Sequence, residues 1–198
     1  MTRTGRTDPV SRFSQEITDR MSYLAQHDPL TGLLNRYAFR ESFEQAKGLA
    51  RKHRKKMVML FSDLDNFKDR NDTLGHINGD IVLNKLSREI LASVRVTDHV
   101  CRYGGDEFAI LLSDIEQPEL AFAVVDKIQK AASSSIDING QSISVKLSTG
   151  ISVYPDNGET LEALLSYADA AMYQIKASKS WDSIIPQNNV LANAQSTR

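Results

Sequence analysis

The chain has 198 residues, of which 41% are hydrophobic and 25% charged, and its formal net charge is −1. These values are typical of one globular domain with short appendages, and a nearly neutral chain has no basic field to attract nucleic acid or a membrane. The single cysteine, Cys101, excludes a disulfide within the chain and favours a cytoplasmic location. No apolar run reaches the roughly 20 residues that span a bilayer. Origin from a larger, membrane-attached sensor stays open.

A short stripe of apolar residues precedes the main domain. The residues are spaced four, four and three apart, which marks one face of a helix, and they are Phe13, Ile17, Met21 and Leu24. This helix either packs on the domain or forms the end of a coiled-coil stalk, since the pattern fits both. The chain therefore divides into a tail and stalk helix at 1–27, a main domain at 28–180 and a C-terminal tail at 181–198.

Helices and strands alternate irregularly through the main domain. The order predicts an α/β fold of the α+β type, with a mixed, largely antiparallel sheet flanked by helices. The predicted elements, in chain order, are a helix at 35–50, a basic loop at 51–56, a buried strand at 57–65, helices at 66–73 and 79–94, hairpin strands at 98–103 and 106–112, a helix at 118–133, a hairpin about Asn139 and Gly140, and a helix at 160–178.

The sequence YGGDEF, at residues 103–108, joins the two strands of the first hairpin. Its adjacent glycines, Gly104 and Gly105, tolerate the positive φ angles that a tight hairpin turn needs. Two carboxylates, Asp106 and Glu107, follow the glycines at once. The pattern predicts a glycine-tipped hairpin with an acidic rim.

Carboxylates also end the strand at 57–65, where Asp63 is the closest to the buried run. If the hairpin lies beside this strand, Asp63 and one acid of the pair Asp106 and Glu107 converge. Two carboxylates at close range repel and are best tolerated with a divalent cation between them. Mg²⁺ takes one or two carboxylates and completes its shell with water and phosphate oxygens, which points to phosphoryl transfer. The spacing alone leaves a metal site and a solvated loop rim both open.

The segment between these acids, residues 66–80, is dense in polar groups. Lys68 can neutralise phosphate as a point charge. Asn71 and Asp80 can read a base edge, and a carboxylate suits the paired N–H donors of guanine, which adenine lacks. Helix capping and turn formation by Asn, Asp and Gly explain the same composition without a ligand.

Four motifs together resemble those of the bacterial GGDEF diguanylate cyclases. They are DPLTGLLNRYAF (28–39), FSDLDNFKDRNDTLGHINGD (61–80), YGGDEF (103–108) and YADAAMYQIK (167–176). The resemblance implies a palm-like, nucleotidyl-cyclase-like fold and the condensation of two GTP into cyclic di-GMP with release of two pyrophosphates. Because each domain would hold one GTP, it also implies a homodimer. A silent module that binds GTP or cyclic di-GMP, and a cyclase that makes a mixed guanine–adenine dinucleotide, are the alternatives.

The resemblance assigns roles to individual residues. A Mg²⁺ or Mn²⁺ ion would be held by Asp63, the backbone carbonyl of Leu64, Asp106 and Glu107. The implied catalytic residues are Asp106, which would help to deprotonate the ribose 3′-hydroxyl, Glu107, and Lys68, which would stabilise charge in the transition state. The implied GTP contacts are Phe67, Asn71, His76, Asp80, Gly104, Gly105 and Lys176.

Two further positions bear on regulation and affinity. The sequence RVTD at 95–98 resembles the family's product-inhibition motif, in which Arg95 and Asp98 would bind cyclic di-GMP. The alternative is a helix-terminal arginine and a capping aspartate. Ser180 stands where the family often has a phosphate-binding arginine, and the neighbouring Lys179 offers a point charge without the bidentate fork.

Overall fold

The computed structural model describes residues 9–178. This part of the chain forms six helices and six strands. In chain order they are α1 (Pro9–Gln26), α2 (Arg36–His53), β1 (Lys56–Leu64), α3 (Phe67–Leu74), α4 (His76–Ser93), β2 (His99–Arg102), β3 (Glu107–Ile115), α5 (Leu120–Ser133), β4 (Ile136–Ile138), β5 (Gln141–Ile143), β6 (Leu147–Tyr154) and α6 (Leu161–Ser178).

Four strands form the main sheet in the order β2-β3-β1-β6, and each adjacent pair is antiparallel. The long strands β1 and β3 lie in the centre, where Met59 is opposite Leu111 on one side and Ser152 on the other. β4 and β5 form a separate two-stranded sheet. The predicted fold class, an antiparallel sheet flanked by helices, is confirmed.

The main sheet is buried on both faces. One face contributes Leu60, Phe108 and Ile110 to a core that also contains residues of α4 and α5. The other face contributes Met59 and Phe61 to a core with residues of α2 and α6. A strand covered on both sides needs apolar residues at every position, which explains why β1 reads as a continuous apolar run.

The predicted basic loop at 51–56 is wrong for most of its length. α2 continues through Arg51, Lys52 and His53, and β1 already begins at Lys56. Basic side chains are favourable in the last turn of a helix because they face the negative end of its dipole. The helix ends at Arg54, whose φ of 56° is left-handed and whose N–H donates to the carbonyl of Ala50.

The second predicted hairpin is confirmed. Asn139 and Gly140 have φ angles of 55° and 81°, as the two central residues of a type I′ turn require. The strand-like run that follows is divided, because β5 ends at Ile143 and belongs to the small sheet, while β6 begins at Leu147 in the main sheet.

The part of the apolar stripe from Ile17 to Leu24 is exposed and not packed on the domain. Ile17, Met21 and Leu24 are 45%, 67% and 49% exposed. No helix within residues 9–178 is long and apolar enough to cross a membrane. The predicted C-terminal tail and the departure at Ser180 lie outside the described residues.

Candidate active site

Two carboxylates meet across the central strands. Asp63 of β1 is directly opposite Glu107 of β3 in the antiparallel register. Both point to the sheet face covered by α2 and α6. Every second residue of a strand lies on the same face, so Asp63 shares its face with Met59 and Phe61. The predicted convergence of Asp63 with an acid of the hairpin is therefore confirmed, and the acid directly opposite is Glu107.

The surroundings of this pair disfavour negative charge. Burial raises the pKa of Asp63, and the nearby charges of Asp106 and Asp65 act in the same direction against the opposing effect of Lys176. Burial also raises the pKa of Glu107, and the charge of Asp63 adds to this while Arg36 opposes it.

A divalent cation fits this donor set, because it would relieve the repulsion between carboxylates that burial has already made costly. Within residues 9–178, no group of three or more His, Cys, Asp or Glu side chains is arranged to hold a metal.

A pocket of about 330 Å³ opens between α3, α4 and the hairpin. This volume lies in the range of small-molecule sites. Six of the residues assigned from sequence line it, together with three that were not assigned. The lining is formed by Phe67, Lys68, Asn71, Gly79, Asp80, Leu83, Arg102, Gly105 and Asp106.

Asn71 presents an unpaired polar atom at this pocket. Its Oδ1 is buried and has no hydrogen-bond partner among residues 9–178, while its Nδ2 lies 2.9 Å from Nδ1 of His76. The side chain fits because residue 79 is glycine, where an added Cβ would come within 2.1 Å of Asn71 Oδ1. A buried acceptor without a donor costs free energy, so this atom is suited to accept from a ligand N–H.

The two glycines of the hairpin differ in what they permit. Neither has a positive φ, so the expectation that the turn needs left-handed backbone here is wrong. A Cβ on Gly104 would come within 2.1 Å of Glu107 Oε2, whereas one on Gly105 would meet no atom within 4 Å. Gly104 therefore makes room for the Glu107 side chain, and Gly105 borders the pocket.

Arg102 was not assigned from sequence, although it supports the hairpin tip. Its Nε and Nη2 donate to the carbonyl of Gly105 at 3.1 and 2.8 Å, and its Nη1 pairs with Asp28 at 3.2 Å. Burial works to raise the pKa of Asp28, but hydrogen bonds from Thr31 and the Arg102 charge hold it below its usual value. The motif at 28–39 is therefore tied to the hairpin by a contact between residues 74 positions apart.

Arg36 holds the hairpin from the side of α2. Its Nε donates to the carbonyl of Tyr103, and its guanidinium lies 4.4 Å from the centre of the Tyr103 ring. Its Nη2 is 4.0 Å from Glu107 Oε2. Asn35, one residue earlier, caps α2 by accepting from the N–H of Ala38. The cap fixes the start of the helix, and Arg36 is its first residue. No signal in the sequence distinguished Arg36 from an exposed helical arginine.

Lys176 of α6 reaches the acid pair, with its Nζ 2.5 Å from Oδ1 of Asp63. This contact places α6 beside the acid pair. The Lys68 side chain, in contrast, lines the pocket on the other side of the hairpin.

Arg95 and Asp98 lie in the connection between α4 and β2 and do not line the pocket. Both oxygens of Asp98 accept from backbone, Oδ2 from the N–H of Arg95 at 2.8 Å and Oδ1 from the N–H of Ser113 at 3.1 Å. This is the turn-stabilising role that the sequence offered as the alternative. Their binding of a cyclic dinucleotide stays a prediction.

Comparisons with known proteins agree with this geometry. The family model described as "Diguanylate cyclase, GGDEF domain" matches residues 25–181. Diguanylate cyclase TpbB of Pseudomonas aeruginosa is 39% identical over 163 residues, which are 82% of this chain and 38% of that protein. The chain thus spans well under half the length of this curated relative.

Solved structures give the same result. The GGDEF domain of TpbB is 40% identical with a TM-score of 0.74, over 77% of this chain and 89% of that one. The coiled coil and GGDEF domain of DgcB from Caulobacter crescentus, solved with c-di-GMP, is 26% identical with a TM-score of 0.76, over 85% of this chain and 89% of that one.

Proposed function

The chain belongs to the GGDEF family of diguanylate cyclases, and on this premise we propose that it condenses two GTP molecules into cyclic di-GMP and releases two pyrophosphates. The observation that carries the proposal is that Asp106 lines the pocket and also lies close enough to Asp63 and Glu107 for its charge to act on both. Phosphoryl transfer needs positioning and neutralisation of spreading charge more than a nucleophilic side chain. The expected cytoplasmic location belongs to this proposal, since GTP is a cytoplasmic substrate.

The guanine would bind in the pocket. The unpaired Oδ1 of Asn71 accepts one base N–H, and the carboxylate of Asp80 accepts from the paired donors of the guanine edge. His76 holds the Asn71 side chain through its contact with Nδ2, and Phe67 provides apolar contact along the nucleotide. An adenine would leave the carboxylate without donors, which disfavours a mixed dinucleotide as product.

The triphosphate would lie toward the acid pair. Asp63, Glu107, Asp106 and the carbonyl of Leu64 would hold Mg²⁺ or Mn²⁺. When bound, the cation neutralises charge on the phosphate oxygens. Lys68 stabilises charge that develops at the transferred phosphoryl group, and Lys176 contacts the terminal phosphates. Asp106, which lines the pocket, accepts the proton of the attacking 3′-hydroxyl.

Two domains would act face to face, because the product contains two linkages and each domain holds one GTP. The exposed stripe of α1 is the surface proposed to bring two copies together. We expect deletion of residues 1–27 to weaken both dimerisation, measured by analytical ultracentrifugation, and activity. Full activity at low concentration after this deletion would contradict the role of α1.

Product inhibition is proposed at Arg95 and Asp98. The Arg95 residue is exposed, and its guanidinium can clamp phosphate or stack on guanine. Arg95→Ala should relieve inhibition by added cyclic di-GMP while leaving the initial rate unchanged. An unchanged inhibition constant in this variant would argue against the site.

The activity is tested by incubating the purified chain with GTP and Mg²⁺, with and without ATP, and identifying products by mass spectrometry. Cyclic di-GMP from GTP alone is expected, and Asp63→Asn should abolish it. Binding of GTP by calorimetry without any dinucleotide product would support the silent binding module instead.

A further inference from the structure

Lys176 and Asp63 contact each other, although the proposed function assigns Asp63 to the metal ion and Lys176 to the terminal phosphates of GTP. Their atoms Nζ and Oδ1 are 2.5 Å apart, and the two side chains are 32% and 18% exposed. The two groups form a charge-assisted hydrogen bond in a partly buried place, where an ion pair is screened less than at an open surface.

The position of this lysine is set by close backbone contact between α6 and β6. A Cβ on Gly150 would come within 1.8 Å of the Ala168 carbonyl oxygen, so only glycine lets the helix lie this near the strand. Gly150 is opposite Phe61 in the sheet, two residues before Asp63. Lys176 is therefore carried over Asp63 by a helix that cannot shift freely.

Lys176 is the cation beside Asp63 in a cluster of acids, and Arg36 lies beside Glu107 in the same cluster. Burial and the charges of Asp106 and Asp65 act against ionised Asp63, and Lys176 is the group that opposes them. Glu107 adds a further carboxylate directly across the strands. Without a cation this cluster would be strongly repulsive.

A divalent ion and an ammonium group compete for one carboxylate, because each is a cation attracted by the same negative charge and each repels the other. Mg²⁺ binds oxygen at about 2.0–2.1 Å, and two cations at that separation from one atom would repel. We propose that Lys176 is an exchangeable counter-ion of Asp63. It occupies the carboxylate until metal binds, and then transfers to the terminal phosphates that arrive with the metal. This inference rests on the proposed function. It predicts that metal alone binds weakly, because it must displace Lys176, and that metal with nucleotide binds well, because the phosphates take over the lysine.

The test measures Mn²⁺ binding to the full chain without nucleotide, by electron paramagnetic resonance of the free ion. Lys176→Met should tighten Mn²⁺ binding on the order of tenfold, because a competing cation is removed. The charge-matched control is Lys130→Met, an exposed lysine paired with Asp126, and it should leave the affinity unchanged. Lys176→Arg keeps a cation on Asp63 and should bind Mn²⁺ no better than the wild type.

Each outcome decides the proposal. Equal or weaker Mn²⁺ binding by Lys176→Met would overturn it, as would an equal gain in Lys130→Met. Adding Asp63→Asn to Lys176→Met should remove the gain, and a gain that persists would show that the ion binds elsewhere. If Lys176→Met does not fold, as judged by circular dichroism, tighter binding by Lys176→Arg would still refute the idea. A wild-type chain that makes no dinucleotide would sink the proposed function and leave this binding comparison intact.

Discussion

The contact of Gly150 with α6 makes a sharp prediction about stability. Replacing Gly150 by alanine would put a Cβ within 1.8 Å of the Ala168 carbonyl oxygen and 2.6 Å of the Met172 nitrogen. Ordinary contact begins at 3.4 Å, so the helix would have to retreat by about 1.6 Å. The obstructing atoms belong to a helix backbone and cannot rotate away as a side chain could.

The loss of stability follows from the packing that a retreat of α6 would disrupt. The face of α6 toward the sheet includes Leu164, Ala168 and Met172, which are 0%, 0% and 5% exposed. Overpacking a core typically costs 1–3 kcal/mol and sometimes more. Because backbone must move, we expect a loss of about 3 kcal/mol or more, which for a domain of this size lowers Tm by roughly 6–12 °C.

The assay is urea unfolding followed by circular dichroism, with Gly48→Ala as the matched control. Gly48 lies within α2, and a Cβ there would meet no atom of the described residues within 4 Å. Alanine should therefore stabilise the protein by about 0.5–1 kcal/mol through helix propensity. A change of less than about 0.5 kcal/mol in Gly150→Ala would refute the claim that α6 rests on the backbone of β6.

Three further predictions concern single groups. Burial raises the pKa of Cys101 to about 12, so iodoacetamide at pH 8 should label it only after unfolding, as read by mass spectrometry. Glu107→Gln should abolish product formation. It should also raise Tm in the absence of metal, because burial and the charge of Asp63 raise the pKa of Glu107 and disfavour its ionised form. A lower Tm would contradict this. The pKa of Asp28 is lowered from 3.8, so its stabilising effect is present above that pH and lost as pH falls further. Asp28→Asn should therefore be less stable than the wild type at pH 7, and this difference should shrink only as the pH falls below 3.8. A difference that stays constant below that pH would count against the Arg102 pair.

Local patterns predicted the elements of the fold well. The strand expected at 57–65 is β1 at Lys56–Leu64, and the turn at Asn139 and Gly140 has the φ angles that its sequence favours. Both signals are short-range: a continuous apolar run and a dipeptide suited to a type I′ turn. The boundary of α2 was less predictable, because basic residues suit a last helical turn as well as a loop.

The site was predictable in its chemistry and less so in its contacts. The convergence of Asp63 with the hairpin acids followed from one assumption about strand neighbours, which the register confirms. The roles of Gly104 and Lys176 depended on which atoms lie nearest in space. Gly104 accommodates Glu107, and Lys176 pairs with Asp63, 113 positions away.

The sequence by itself determined which kinds of groups are present and in which local structure each one lies. Residue type fixes charge and hydrogen-bonding capacity, and short-range pattern indicates most of the strands, helices and turns. Only the tertiary structure decided the partners, such as Arg102 with Asp28 and Arg36 with Tyr103. These pairings depend on strand register and on how closely each helix approaches the sheet, and both are set by contacts between residues far apart in the chain.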